Sequence, residues 1–269
     1  PTFAIVGNTA YLADGNHYLN GWNLYTGRQV VHQELPGMVS MDGPAVVGNQ
    51  MYLGYLCLKN GGGVVDYNWA TQHIVWSTQN INWVQGESDA NLLVHDGVIW
   101  EAGNVRTASG AVDAEVMMLN AQTGSVLHTL DLGPAQYVTK PGPHAGQFTA
   151  ADGLIYYTSP DTNELVALSP YTGQMVWHFP LYYNLSDVLV TGMNVYVPTL
   201  SGDIDIVNAL TGKEVGRQVF PHGVFYEDSP IQINNHLVIS WYDVATHQGH
   251  VTSEPLPLPT VQLPTSLNS

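Results

Sequence analysis

Three aspartates hold the same place relative to three similar runs of sequence. Asp42, Asp89 and Asp228 lie nine residues before Met51, Val98 and Leu237, which occupy matching positions in apolar segments. Asp187, with Ser186 before it, falls at or one place beyond that position in a further segment, and His144 falls one place before it in another. Glu87 and Glu227 sit beside the set, and Trp83 stands ahead of Glu87. Carboxylates crowded into a partly dry mouth raise one another's pKa, so that one stays protonated and can act as a general acid. In that arrangement His144 is an electrostatic partner, Trp83 stacks on a ligand, and the oxygens suit a divalent cation. The competing reading is structural: Asp, Ser and Glu often end loops and accept hydrogen bonds from backbone amides at strand starts.

Other chemistries find less in the chain. Cys57 is the sole cysteine, which excludes an intramolecular disulfide and a cysteine-based metal site and reads as a small apolar core residue. His247 and His250 are three apart, a spacing that in a strand or turn puts the rings on different faces. The run from Lys59 through Gly63 has no following Lys-Ser/Thr pair and reads as a long hairpin loop, and no Gly-x-Ser-x-Gly elbow occurs. Asn184-Leu185-Ser186 matches a glycosylation sequon, which matters only in a eukaryotic secretory setting.

The elements that must position the acidic set are repeated. An apolar run, a short Gly/Asn/Asp turn and an aromatic-rich strand recur as AIVGNTAYL (4–12), AVVGNQMYL (45–53), LLVHDGVIW (92–100), FTAADGLIYY (148–157), VLVTGMNVYV (188–197) and IQINNHLVIS (231–240). A second motif alternates with them: NLYTGRQVV (23–31), NWATQHIVW (68–76), NAQTGSVLH (120–128), SPYTGQMVW (169–177) and NALTGKEVG (208–216). Its Asn or Ser can bond backbone amides inside the turn, and its Gly supplies positive φ before the next strand. Gly27, Gln72, Gly124, Gly173 and Gly212 follow one another at 45, 52, 49 and 39 residues, the period of a four-stranded unit.

This pattern resembles the PQQ-like β-propeller repeat, whose blades carry an Ala-x-Asp-x-x-Thr-Gly-x-x-x-Trp-like signature and which quinoprotein dehydrogenases share with the BamB assembly factor. The likeness runs over about residues 3 to 250; Trp76 and Trp177 hold the tryptophan position, whereas His128 and Gly216 depart from it. The resemblance implies an all-β propeller of four-stranded antiparallel blades, six in the preferred count, with a fragment of a seven- or eight-bladed ring as the alternative. The sixth unit, ISWYDVATHQGHVTSEP (239–255), lacks the Thr-Gly signature. Residues 1–254 then form the propeller, and the Pro-rich 255–269 closes a blade, links onward or pairs with another chain. PQQ does not follow from the likeness: quinoproteins place a vicinal cysteine pair above the cofactor and hold calcium with Glu, Asn and Asp, a set that does not map onto this chain.

Composition narrows the setting. The 269 residues carry 22 Asp and Glu against six Lys and Arg, a formal charge of −16, and 11 histidines. So few bases exclude a phosphate-binding surface for nucleic acid, and no run of about 18 apolar residues spans a bilayer. Near pH 3 to 4 the carboxylates take up protons while histidines and bases stay positive, so the net charge becomes small. The composition therefore suits a secreted, periplasmic or cell-surface protein, and the start at Pro1 reads as a mature or trimmed product. Two functions follow as expectations. One is a binding or assembly scaffold without PQQ, meeting a protein partner or itself through a propeller face or the tail. The other, which the resemblance adds, is an acidophile hydrolase of the tetrathionate hydrolase kind, using Asp42, Asp89, Asp187, Asp228 and His144.

Overall fold

The computed structural model describes residues 3–13, 17–36, 38–39, 44–57, 61–80, 92–135, 146–181, 187–220, 223–225 and 230–258. Among them every regular element is a β-strand, and no helix is long and apolar enough to cross a membrane. The chain divides into two compact units, Pro1–Ala145 and Gly146–Ser269.

The first unit holds three antiparallel sheets. The first sheet joins β1 (Ala4–Val6), β2 (Thr9–Ala13), β3 (Tyr18–Asn23) and β4 (Gln29–Glu34) in sequence order. The second has its first strand in two pieces, β5 (Met38–Val39) and β6 (Ala45–Val47), both paired with β7 (Gln50–Cys57), and continues through β8 (Gly61–Asn68) to β9 (His73–Asn80). Gly61, Gly62 and Gly63 pair with Cys57, Leu56 and Tyr55, so the glycine run expected to loop out is the start of a strand. The third sheet joins β10 (Leu93–His95), β11 (Val98–Arg106), β12 (Val112–Asn120) and β13 (Val126–Pro134).

The second unit repeats the plan. Its first sheet joins β14 (Gln147–Ala151), β15 (Leu154–Ser159), β16 (Glu164–Leu168) and β17 (Met175–Pro180), and its second β18 (Leu189–Thr191), β19 (Asn194–Pro198), β20 (Asp203–Asn208) and β21 (Glu214–Val219). The last sheet differs: β22 (Gly223–Val224) and β23 (Ile231–Ile233) share one edge of β24 (His236–Asp243), and β25 (Gln248–Pro255) takes the other. The segment Asp243-Val244-Ala245-Thr246-His247 thus turns between second and third strands, with the same amide-capping bonds as the Thr-Gly turns and His247 at φ 57° where they place glycine.

Each recurrent motif has a local physical cause. Asn23, Asn68, Asn120 and Asn208 accept hydrogen bonds through Oδ1 from the amides two and three residues on, as in Leu210 N–H and Thr211 N–H to Asn208 at 3.1 and 3.0 Å. The chain then passes through a residue with positive φ and reverses into the fourth strand. The turn glycine also makes room for the sheet before it. A Cβ on Gly124 would stand 2.5 Å from the Trp76 ring, and one on Gly212 2.7 Å from that of Trp177. Those indoles bond the next turn, Trp76 Nε1–H to Ala121 O at 3.3 Å and Trp177 Nε1–H to Ala209 O at 2.9 Å. Val31 holds the tryptophan place in the first sheet, and the turn after it carries Gln72 at φ 58° instead of glycine. Without an indole above it, that turn needs only a residue that tolerates the left-handed region.

Between neighbouring sheets of a unit the buried faces interdigitate. Tyr11, Leu19 and Val31 pack with Met51, Leu53 and Tyr67, and Tyr52 and Val64 with Ile99, Met117 and Leu119. In the second unit Tyr156, Leu165 and Trp177 meet Val195, Val197 and Val207, and Tyr196, Ile204 and Ile206 meet Phe225, Leu237 and Ile239. Leu256 and Leu258, the first apolar residues of the Pro-rich stretch, are buried in this last cluster.

Candidate functional site

Of the residues singled out from the sequence, Asp187 is described: it is half-buried and stands two residues before β18. Asp42, Trp83, Glu87, Asp89, His144, Glu227 and Asp228 lie outside the described residues. Their chain positions are informative all the same. Asp42 falls between the two pieces of the second sheet's first strand, and Glu227 and Asp228 between the two pieces of the last sheet's. Trp83, Glu87 and Asp89 belong to the segment leading from β9 to β10, and His144 to that leading from β13 to β14.

First and second strands are antiparallel, so the entrance to β18 shares an end of its sheet with the hairpin between β19 and β20. A line of carboxylates runs from that hairpin along β20 and β21. Asp203 and Asp205 begin β20, and on β21 Arg217 lies opposite Asp205 with Glu214 three residues earlier. Arg217 Nε stands 2.7 Å from Asp205 Oδ1, its Nη1 3.5 Å from Asp203 and its Nη2 3.4 Å from Glu214. The shortest contact is poorly aligned, for neither Asp205 Oδ1 nor Arg217 Nε meets hydrogen-bond geometry. One guanidinium therefore serves three carboxylates. Asp205 is pushed up to about 6 on balance: burial raises it most, Arg217 pulls it down, and the charges of Glu214 and Asp203 raise it.

Other carboxylates are held away from water. Asp66 on β8 is buried and accepts a 2.6 Å bond from Gln50 Nε2, while Asn68 Nδ2 fixes Gln50 from its other side at 2.8 Å. Its burial raises the carboxyl above the usual range, and Gln50 lowers it by less. Glu115 on β12 is raised by burial and then by the charge of Asp131. Glu101 is fully buried on β11, and a Cβ on Gly54 would come within 2.9 Å of its Oε1. Asp161, in the hairpin from β15 to β16, is buried as well. Among the described residues no group of three or more His, Cys, Asp or Glu is disposed to hold a metal ion.

Sequence reasoning passed over these buried carboxylates, although a signal existed. Asn20, Gln29 and His32 occupy the same repeat positions in the first sheet as Asp205, Glu214 and Arg217 in the fifth, and they too are joined: Gln29 Nε2 and His32 Nδ1 both meet Asn20 Oδ1 at 2.8 Å. Alignment of third and fourth strands in addition to first strands would have exposed the polar trio.

Sheets of antiparallel strands in sequence order, Asn-capped turns and indoles seated on the next turn's glycine define a repeat of the propeller-blade class. The chain belongs to the PQQ-like propeller family: the family model described as outer membrane protein assembly factor BamB matches residues 1–141 and 103–223. Among solved structures it is similar to BamB from Moraxella catarrhalis, with a TM-score of 0.64 and 16% identity over 95% of this chain and 74% of that one. Quinohemoprotein alcohol dehydrogenase from Comamonas testosteroni gives a TM-score of 0.59 and 14% identity over 90% of this chain and 44% of that one. At such identities the likeness shows the fold. In sequence, 263 residues are 25% identical to tetrathionate hydrolase of Acidithiobacillus ferrooxidans, covering 87% of this chain and 48% of the relative. The chain thus spans about half the length of that relative.

The quinohemoprotein likeness raises the question of a quinone. Cys57 is the sole cysteine, so the vicinal cysteine pair of quinoproteins has no counterpart in this chain.

Proposed function

We propose that the protein is an extracytoplasmic propeller of the tetrathionate hydrolase kind, working in acid on a small sulfur oxyanion without PQQ. The observation that carries this reading is the match to tetrathionate hydrolase over 263 residues. The chain's own chemistry agrees with it. An acidic mouth repels a dianion at neutral pH, and protonation below about pH 4 removes that repulsion while leaving carboxylic acids able to protonate a leaving sulfur. Asp187 is the described member of the proposed acid set, with Asp42, Asp89 and Asp228 completing it and His144, cationic in acid, attracting the anion.

The test is tetrathionate consumption across pH 2 to 7 by the 269-residue chain and by Asn substitutions at the four aspartates. The reading expects activity confined to the acid range and a loss of about a hundredfold or more in at least one variant, the scale of a lost general acid. Full activity in all four variants would contradict the assignment of the acid set.

A second reading, an assembly scaffold of BamB type, is supported by exposed apolar residues that recur three places after each turn: Val30, Val75, Leu127, Val176 and Val215. An exposed apolar residue repeated on the outer strand of each sheet but the last is a surface feature that suits a protein partner. Both readings dispense with PQQ, and a PQQ-induced rise in melting temperature would count against both.

A further inference from the structure

The last sheet ends differently from the other five. In four of the complete sheets an Asn at the end of the third strand caps the turn that reverses the chain, and Ser169 does so in the remaining one, its Oγ accepting from Thr172 N–H. The corresponding place after β25 is Pro255, as its neighbour shows: Leu256 N–H bonds Asn235 O at 2.8 Å just as Leu24 N–H bonds Asn8 O. Proline offers no capping oxygen, and the positive-φ place falls on Pro259, whose ring fixes φ near −65°. The reversal that makes a fourth strand is thus not encoded there. Among the described residues β25 pairs with β24 alone.

β25 sits in a third-strand place with an outer strand's exposure. Third strands elsewhere are largely buried, as in β8, β16 and β20, whereas β25 alternates between exposed and half-buried and leaves Val251 77% exposed. The outer strands of the five complete sheets each carry a register shift near the turn, a device that discourages further pairing. The β24–β25 ladder runs from His236↔Pro255 to Asp243↔Gln248 without one. The Leu256–Asn235 bond sets the ladder's phase. Even-numbered residues of β25 bond to β24, and Gly249, Val251 and Ser253 turn their N–H and C=O groups outward.

We propose that this edge pairs with the same edge of a second copy of the chain, antiparallel about a twofold axis at Thr252. That register joins Val251 to the partner's Ser253 through outward-facing backbone groups, and it sets His250 opposite the partner's Glu254. The pairing sets an imidazole ring opposite a carboxyl group as well as joining backbone groups. His250 stacks on Trp241 at 4.4 Å, and its buried Nε2 has no hydrogen-bonding partner among the described residues. A self-complementary edge of this type is the requirement for an isologous dimer. The inference is independent of whether the protein is an enzyme.

Light scattering during size-exclusion chromatography reads the outcome. The chain should run at twice its 29.3 kDa mass. Val251→Pro should return it to the single mass, because proline removes an outward N–H and leaves the bonds to β24 in place. Thr252→Cys in a Cys57→Ser background should form a disulfide-linked dimer on mild oxidation, a readout that stands even if the proline variant misfolds. A wild-type chain of single mass at high concentration would overturn the proposal, as would a dimer indifferent to Val251→Pro or a Thr252→Cys chain that does not cross-link. Single mass with slow amide exchange at Gly249, Val251 and Ser253 would show the edge covered within one chain, which equally overturns it.

Discussion

Gly212 tests the coupling between one sheet's indole and the next sheet's turn. Its φ is +66°, so Gly212→Ala adds a Cβ in the left-handed region at a cost of about 1–2 kcal/mol. The same Cβ would stand 2.7 Å from Trp177 Cδ2, and that indole is buried and tethered to Ala209 O at 2.9 Å. Overpacking of this kind adds about 1–3 kcal/mol. The single substitution should therefore cost about 2–5 kcal/mol. In a Trp177→Val background the clash disappears and the conformational part of about 1–2 kcal/mol remains, so the two sites should couple by about 1–3 kcal/mol, within the range seen for residues in contact. Urea unfolding followed by far-UV circular dichroism on the wild type, both single variants and the double variant measures this. Gln72→Ala is the control: with Val31 at the preceding tryptophan place, its effect should stay within about 0.5 kcal/mol. An equal cost of Gly212→Ala in both backgrounds would refute the idea that the turn glycine is required by the indole.

Two further outcomes follow from the polar groups. Asp205 has a folded-state pKa near 6, above the ordinary carboxyl value, so the folded chain binds its proton more tightly than the unfolded chain does. That contribution, on the order of 3 kcal/mol, is present below about pH 4 and is lost as pH rises through 6; Asp205→Asn should flatten the fall in urea midpoint between pH 4 and 7, and an unchanged slope would count against it. Asn208→Ala removes the acceptor for the Leu210 and Thr211 amides and for the Thr211 hydroxyl, and should lower stability by about 1–2 kcal/mol in the same assay, whereas Asn208→Asp should retain most of it.

The fold was legible in the sequence because its signals are local. Two-residue turns with positive φ, such as Asp96-Gly97 and Asp152-Gly153, and Asn-capped reversals need a few adjacent residues, so the hairpins fall where their motifs stand. The last sheet was less legible. Asp243-Val244-Ala245-Thr246 has the lettering of the Asn-x-x-Thr turns and their amide-capping bonds, yet it joins a second strand to a third, a distinction that lies in strand order and not in turn chemistry. The polar trio of Asp205, Glu214 and Arg217 escaped notice for a related reason, since it forms only when β20 and β21 pair in one register. The acid set at the first-strand entrances was read from spacing alone, and Asp187 is the member whose half-buried place at a strand entrance the structure describes.

The most direct test of the functional account is ion chromatography of tetrathionate incubated with the 269-residue chain at pH 3. The account predicts that each tetrathionate lost, with one water, yields one thiosulfate, one sulfate, one zero-valent sulfur atom and two protons, and that these changes stop at pH 7 and recover on return to acid. Tetrathionate that persists at pH 3 in the presence of folded protein would contradict the hydrolase reading.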